Sequence, residues 1–259
     1  MVSAIMHDSF WHIREHMRNI VAEQSRPRYP RAMCNLYSNT TAKEAMRRLF
    51  KVTSDLDHTG NAEPQEAIFP RYSATVLRLT ASGKRELLHM HWGFLLPQVS
   101  AKTGKPILPK AVNNARDDKI QTSPFWRSSF EQRRCLVPAS AYCEAKGLNP
   151  ATYYWFGLAS DDPDARPPFT FAGIWRQFKG DHRGEAVQIE TYSIATTTPN
   201  ELTRTIHPDR MPVILDPADH DKWLLGSVTE AATLLRPFPA RQMRIVREGN
   251  AKADPLTIT

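Results

Sequence analysis

Apolar and polar residues alternate in short runs along most of the chain. Six runs rich in β-branched and aromatic residues, each bounded by turn residues, predict strands. They comprise residues 73–80, 86–92, 153–158, 169–175, 187–196 and 243–246. The strands are short and several are neighbours in sequence, so we expect mostly antiparallel pairing.

Helical spacing is confined to short segments between these runs. Residues 41–44 form a capping box ahead of one helix, Asp216 opens a second helix that ends at Gly226, and Ser227 opens a third. Prolines and a glycine predict a polar loop over residues 96–112. This pattern predicts an α+β fold with a mostly antiparallel, barrel-like β-sheet core and irregularly interspersed helices.

Residues 1–33 differ from the rest of the chain. Apolar residues follow helical spacing behind Ser9 and predict a short amphipathic helix, after which residues 26–31 are rich in arginine and proline. We interpret residues 1–33 as an N-terminal extension, either a leader that is removed or a mis-assigned start with Met33 as the true initiator. No composition break follows, so residues 34–259 are expected to form a single domain.

The composition is that of an ordinary globular chain. Of 259 residues, 41% are hydrophobic and 24% are charged, which excludes fibrous and wholly disordered proteins. No apolar run approaches the ~20 residues of a membrane-spanning helix, so we expect no membrane contact. The net charge of +7 is compatible with a polyanionic partner. Three cysteines, an odd number, are typical of a reducing compartment and predict a cytoplasmic protein.

Common catalytic motifs are absent from the sequence. It contains no phosphate-binding loop, no dinucleotide-binding glycine motif, no HExxH and no CxxC. Cys135 and Cys143 lie eight residues apart without a nearby histidine, so we interpret both as small buried residues and predict no metal site.

Four other segments are unusual, and their order and spacing carry more information than any one of them. They are residues 33–37 (MCNLY), 113–116 (NNAR), 133–138 with 142–144 (RRCLVP and YCE), and 205–214 (TIHPDRMPVI). Together they resemble the SRAP family, the SOS-response-associated peptidases that process abasic sites in DNA. The resemblance extends from Met33 to about Trp223. It implies an SRAP-like catalytic domain over residues 34–259.

The resemblance implies that Cys34 becomes the mature N-terminus. An N-terminal cysteine carries a free α-amine, with a pKa of ~7.7–8.0, beside its thiol. The amine can condense with the aldehyde of a ring-opened abasic sugar, and the thiol can then close a thiazolidine ring. An internal cysteine offers only the thiol, so Cys34 must be released from Met33 by methionine removal or by self-cleavage.

By the same resemblance, three further residues complete the catalytic set. Glu144 acts as acid and base on the sugar, because a carboxyl group in a partly apolar pocket has a raised pKa. His207 moves protons beside the cysteine. Asn114 holds the cysteine backbone or the sugar, and the Ala-Arg that follows it distinguishes it from Asn113.

DNA contacts are implied for four residues. Arg116 and Arg210 offer planar guanidinium groups for phosphate oxygens, and Trp92 and Phe94 are candidates for stacking on bases. For the two aromatic residues, a buried position at a strand end is an equally good interpretation. The sequence departs from the family after Glu144, where Ala145 replaces a frequent tryptophan, and between His207 and Arg210, where there is one extra residue.

We therefore expect an abasic-site sensor that captures single-stranded DNA covalently, with no cofactor and no metal, as a cytoplasmic, nucleoid-associated monomer. Strand cleavage by β-elimination is an expected side activity. Two alternatives stay open. One is a thiol peptidase that uses Cys34 as an internal nucleophile with His207 as base. The other is a non-catalytic single-stranded DNA-binding module that does not need Cys34.

Overall fold

Strands dominate the chain, as the apolar pattern predicts. The computed structural model describes residues 34–147, 150–182 and 185–254, so the predicted helix in the N-terminal extension lies outside the described residues. The described strands are β1 (Tyr37–Asn39), β2 (Gln65–Ile68), β3 (Ser73–Leu79), β4 (Arg85–Trp92), β5 (Phe94–Val99), β6 (Pro106–Val112), β7 (Asn114–Arg116), β8 (Arg134–Ala139), β9 (Ala141–Lys146), β10 (Thr152–Leu158), β11 (Phe169–His182), β12 (Glu185–Thr197), β13 (Met211–Pro212), β14 (Ile214–Leu215) and β15 (Met243–Gly249).

The helices between them are short. They are α1 (Lys43–Phe50), α2 (Asp117–Ile120), α3 (Arg127–Gln132), α4 (Glu201–Arg204), α5 (His220–Leu225) and α6 (Val228–Ala232), with 3-10 turns at Ser54–Leu56, Pro217–Asp219 and Ala240–Gln242. Among the described residues, no helix combines the length and the apolar character needed to cross a membrane.

Five strands close into a barrel. β12 pairs with β4, β4 with β3, β3 with β8, β8 with β11, and β11 returns to β12. These pairs are antiparallel except β4 with β12, which run parallel where Trp92 lies opposite Tyr192. The short strands β7 and β13 both pair with β12, and β14 pairs with β11. The predicted α+β fold with a mostly antiparallel, barrel-like core is confirmed.

A second antiparallel sheet carries the start of the described chain. Its order is β15-β10-β9-β1-β2, so β1 lies between β9 and β2. Tyr37 on β1 is fully buried, makes edge contacts with Trp92 and Phe171 of the barrel, and shares a hydrogen bond between its hydroxyl group and that of Tyr192. This tyrosine anchors the strand that follows Cys34 to the barrel.

Two local predictions are wrong. Residues 96–112 are not a loop, because β5 and β6 pair as a hairpin from Phe94 opposite Val112. The hairpin forms its own two-stranded sheet, and edge strands tolerate prolines. The capping box at residues 41–44 does not form: α1 begins at Lys43 without a side-chain cap.

Two predicted helix starts are confirmed. The side chain of Asp216 accepts a hydrogen bond from the Ala218 backbone, although the first turn is a 3-10 turn. Ser227 and Glu230 form a reciprocal capping box at α6.

The Tyr37–Tyr192 pair generates a stability prediction. Tyr37→Phe should lower the free energy of unfolding by about 1–3 kcal/mol, because the buried Tyr192 hydroxyl group loses its partner. The double variant Tyr37→Phe/Tyr192→Phe should recover most of that loss, since no orphaned hydroxyl group remains. Chemical denaturation of the three proteins measures both values. A double variant that loses the sum of the two single effects would contradict this account.

Candidate active site around Cys34

Cys34 lies just before β1 and is buried, with 1% of its surface exposed. Its carbonyl oxygen accepts two hydrogen bonds, each 3.1 Å long, from the side-chain amides of Asn113 and Asn114. Asn113 also donates to the side chain of Asn35, at 2.7 Å. The backbone on the carbonyl side of Cys34 is therefore fixed by two donors from one segment.

Glu144 holds the other side of the same residue. It lies on β9 in the strand next to β1, is 3% exposed, and its carboxylate accepts a hydrogen bond from the backbone N–H of Cys34. Burial raises the pKa of Glu144 well above its ordinary value, and the hydrogen bond from Cys34 only partly opposes this shift. A raised pKa favours the protonated form of the carboxyl group, which can act as a proton donor.

The thiol of Cys34 is in the same apolar environment. Burial raises its pKa well above 9.0, and the negative charge of Glu144 raises it further. The hydrogen bond from the thiol to the Leu36 carbonyl is long, at 3.8 Å. Burial therefore favours the neutral thiol. A negative charge on Glu144 makes a thiolate at Cys34 still less favourable.

His207 follows α4 and is 2% exposed. Its Nδ1 atom lies 3.1 Å from the carbonyl oxygen and 3.3 Å from the backbone nitrogen of Arg210. Tyr142 and Lys146, two residues on either side of Glu144, contact Thr203 and Thr205 in the segment that leads to His207. Side chains two apart share a strand face, so Glu144 lies on the face that meets this segment.

The strand β7 positions Asn114. It runs parallel to β12 with Asn114 opposite Ile194, and Asn114 is buried. The sequence motif favours Asn114 over its neighbour, whereas both asparagines contact the Cys34 carbonyl oxygen. The sequence shows Asn113 as the first of two adjacent asparagines, but the family motif includes only the second, Asn114.

Trp92 and Phe94 do not occupy a position suited to base stacking. Both are fully buried. Trp92 stacks on Tyr192 and donates its indole N–H to the carbonyl oxygen of Asn113, at 3.0 Å. Phe94 packs against Trp126 and lies under the guanidinium group of Arg176. The prediction of DNA contacts is corrected: both are core residues, and Trp92 supports the asparagine that holds Cys34.

The two candidate phosphate ligands differ from each other. Arg116 ends β7 with about half of its side chain exposed, and it pairs with Asp118 at 2.8 Å. Arg210 is 8% exposed, and its Nη2 atom lies 2.6 Å from the carboxylate of Asp117. Arg116 is accessible to a phosphate. The prediction for Arg210 does not agree with the structure, because its guanidinium group is buried and paired.

Within the described part of the chain, histidine, cysteine, aspartate and glutamate side chains form no group of three that could hold a metal ion. The prediction that the reaction needs no metal and no cofactor stays a prediction.

Comparison with known proteins identifies the class to which this fold and site belong. The family model described as SOS response associated peptidase (SRAP) matches residues 33–249, so the chain belongs to the SRAP family. Residue 33, where the match begins, directly precedes the buried cysteine.

Individual relatives agree with this assignment. The chain is 30% identical to the abasic site processing protein YoqW of Bacillus subtilis over 201 residues, which is 76% of this chain and 84% of YoqW. It is 31% identical to the abasic site processing protein YoaM of the same organism over 202 residues, 76% of this chain and 82% of YoaM. A solved structure of a protein from Bordetella bronchiseptica has a TM-score of 0.63 at 25% identity, covering 82% of this chain and 97% of that protein.

The buried carboxyl group of Glu144 generates a pH prediction. The unfolded chain releases this proton near pH 4.5, whereas the folded chain retains it to higher pH, so folding becomes less favourable as pH rises above that value. Glu144→Gln should therefore gain stability over the natural protein between about pH 4 and about pH 8, with little difference at the acid end. Denaturation midpoints across this range measure the difference.

Glu248→Gln, at an exposed position on β15, controls for the loss of one negative charge. A Glu144→Gln difference that stays constant across the pH range would show that the carboxyl group ionises without cost in the folded protein.

Proposed function

We propose that this protein captures ring-opened abasic sites in single-stranded DNA covalently, through the amine and thiol of an N-terminal Cys34. The observation that supports this most directly is the set of hydrogen bonds at the Cys34 backbone. Its nitrogen contacts the carboxylate of Glu144, and its carbonyl oxygen is held by Asn113 and Asn114. Chemistry that uses only the thiol does not require a buried carboxyl group at the backbone nitrogen, whereas chemistry at the amine does.

Release of Cys34 from the preceding residue turns that nitrogen into an α-amine beside Glu144. The amine attacks the C1 aldehyde carbon of the open sugar, and loss of water leaves an imine. The thiol sulfur then adds to the imine carbon, its proton passes to nitrogen, and a five-membered thiazolidine closes. Glu144, whose pKa is raised by burial, supplies a proton to the departing oxygen, and His207 moves protons in the same step.

Two buried oxygens fit a sugar substrate. Within the described residues, Oε1 of Glu144 and Oδ1 of Asn114 have no hydrogen-bond partner. Buried oxygens without a partner are unfavourable, and a sugar hydroxyl group can donate to the Asn114 oxygen and either donate to or accept from the Glu144 carboxyl group. The names of the Bacillus subtilis relatives support the choice of an abasic sugar as substrate.

The imine also explains an expected side activity. It draws electrons from the neighbouring carbon, so that carbon loses a proton more readily and the 3′ phosphate leaves by β-elimination. Closure of the thiazolidine removes the imine, and strand cleavage should therefore be minor when the thiol is present.

The two alternatives are less well supported. A thiol peptidase needs a thiolate, whereas burial and Glu144 raise the pKa of the Cys34 thiol. A passive single-strand binder needs exposed cationic and aromatic groups, whereas Trp92 and Phe94 are buried. Self-cleavage between Met33 and Cys34 stays part of the proposal as one way to release the amine.

Substitution of Cys34 tests the chemistry. Intact-mass analysis of the active, full-length-expressed protein should show a chain that begins at Cys34. The natural protein should form an adduct with an abasic single-stranded oligonucleotide that survives heating in denaturant. Cys34→Ala retains the amine, so it should form only an imine that heat reverses unless a reductant traps it, and it should cleave the strand more.

Cys34→Ser is the matched control, because a hydroxyl group closes a less stable ring. Cys135→Ala controls for loss of a buried thiol elsewhere. A heat-stable adduct of Cys34→Ala equal to that of the natural protein would disprove the thiazolidine. Retention of residues 1–33 on active protein would disprove the role of the amine.

The exposed guanidinium group of Arg116 generates a salt prediction. Non-covalent binding of single-stranded DNA should weaken with salt by a slope of about −0.7 for each phosphate neutralised. Arg116→Ala should make that slope shallower and slow capture at low protein concentration, without changing the chemical nature of the adduct. Binding titrations at several salt concentrations measure this.

Arg236→Ala is the control, because Arg236 is also exposed and paired with one aspartate. Equal slopes for Arg116→Ala and the natural protein would show that Arg116 does not contact phosphate.

A further inference from the structure

Asp117 forms an ion pair that the resemblance to the family did not anticipate. Its Oδ1 atom lies 2.6 Å from Nη2 of Arg210, and its Oδ2 atom accepts a hydrogen bond of 2.7 Å from the hydroxyl group of Thr197. The same Nη2 atom donates to the Thr196 carbonyl oxygen. The Arg210 side chain is 10% exposed and that of Asp117 is 21% exposed, so the pair is largely shielded from solvent.

The arginine depends on this partner. Its Nε atom is buried and has no acceptor among the described residues, so Nη2 carries the contacts with Asp117 and Thr196. Removal of one member of a buried ion pair leaves an uncompensated charge, which is strongly unfavourable. Without Asp117, the Arg210 side chain is expected to move toward water and to take its backbone with it.

The backbone of Arg210 holds His207. Both the carbonyl oxygen and the nitrogen of Arg210 lie within hydrogen-bond distance of Nδ1 of the imidazole ring. A bond at one ring nitrogen determines the orientation of the ring and which nitrogen carries the proton. The position of Arg210 therefore controls how His207 presents its other nitrogen.

Asp117 also belongs to the segment that holds Cys34. Asn113 and Asn114 contact the Cys34 carbonyl oxygen, and β7 leads from Asn114 directly to Asp117. The strand is fixed by its parallel pairing with β12. One short segment thus contacts the nucleophile at one end and the arginine that supports the histidine at the other.

We propose that Asp117 is a positioning residue, which holds Arg210 so that His207 keeps a fixed orientation relative to Cys34. This rests on the proposed function, because His207 matters only if it moves protons during capture. It assigns to Arg210 a role in supporting the histidine in place of the phosphate contact that sequence analysis predicted.

Single-turnover capture of an abasic single-stranded oligonucleotide by the full-length-expressed protein tests the proposal. Titration of the protein gives a saturating rate and a half-saturating concentration. Asp117→Ala should lower the saturating rate about tenfold without raising the half-saturating concentration. Asp117→Asn should recover part of the rate, since its amide keeps an oxygen for Arg210 and a donor for Thr197.

Asp118→Ala is the matched control. It removes the same charge one residue further along the chain, from an exposed carboxylate that contacts Arg116 and not Arg210. It should retain the saturating rate. An unchanged saturating rate in Asp117→Ala, or an equal loss in both variants, would overturn the proposal.

Nuclear magnetic resonance separates failure of the inference from failure of the proposed function. The imidazole 15N shifts of His207 should change in Asp117→Ala and stay unchanged in Asp118→Ala, whether or not abasic DNA is captured. If Asp117→Ala does not fold, Asp117→Ser, whose side chain is too short to reach Arg210 in the same way, gives the same comparison. Shifts that are identical in the natural protein and in a folded Asp117 variant would show that Asp117 does not orient the ring.

Discussion

The backbone of Cys34 is held at both its nitrogen and its carbonyl oxygen, and much of the structure contributes to that restraint. Two asparagine amides donate to its carbonyl oxygen, and the carboxylate of Glu144 accepts from its nitrogen. The asparagines and the glutamate come from different sheets, since Asn114 begins β7 beside the barrel and Glu144 lies on β9 of the second sheet. The contact between Tyr37 and Tyr192 keeps those two sheets together beside the cysteine.

The site is built at a cost in stability. Cys34, Asn114, Glu144, His207 and Arg210 are all less than 10% exposed. Polar groups removed from water are unfavourable unless each finds a partner, and Glu144 and Asn114 each have an oxygen that no described residue contacts by a hydrogen bond. The large apolar core around the barrel offsets this cost.

The fold class followed from the sequence because short alternating runs report strands directly. The prolines of residues 96–112 predict a loop, but the segment forms a hairpin, because both strands of an isolated hairpin are edge strands that tolerate proline. Among site residues, Cys34, Asn114 and Glu144 come together as expected. The burial of Trp92, Phe94 and Arg210 depends on contacts with residues distant in sequence, and neither residue type nor motif reports such contacts.

The closed barrel determines when the surroundings of Cys34 can be assembled. Cys34 contacts Asn114, which lies 80 positions later, and Tyr37 contacts Tyr192, which lies 155 positions later. Contacts this far apart form late in folding, because the intervening chain must first close on itself. During synthesis, the segment that carries Cys34 emerges from the ribosome early but finds its partners only after most of the domain has been made. The surroundings of Cys34 are therefore complete only after the barrel has closed.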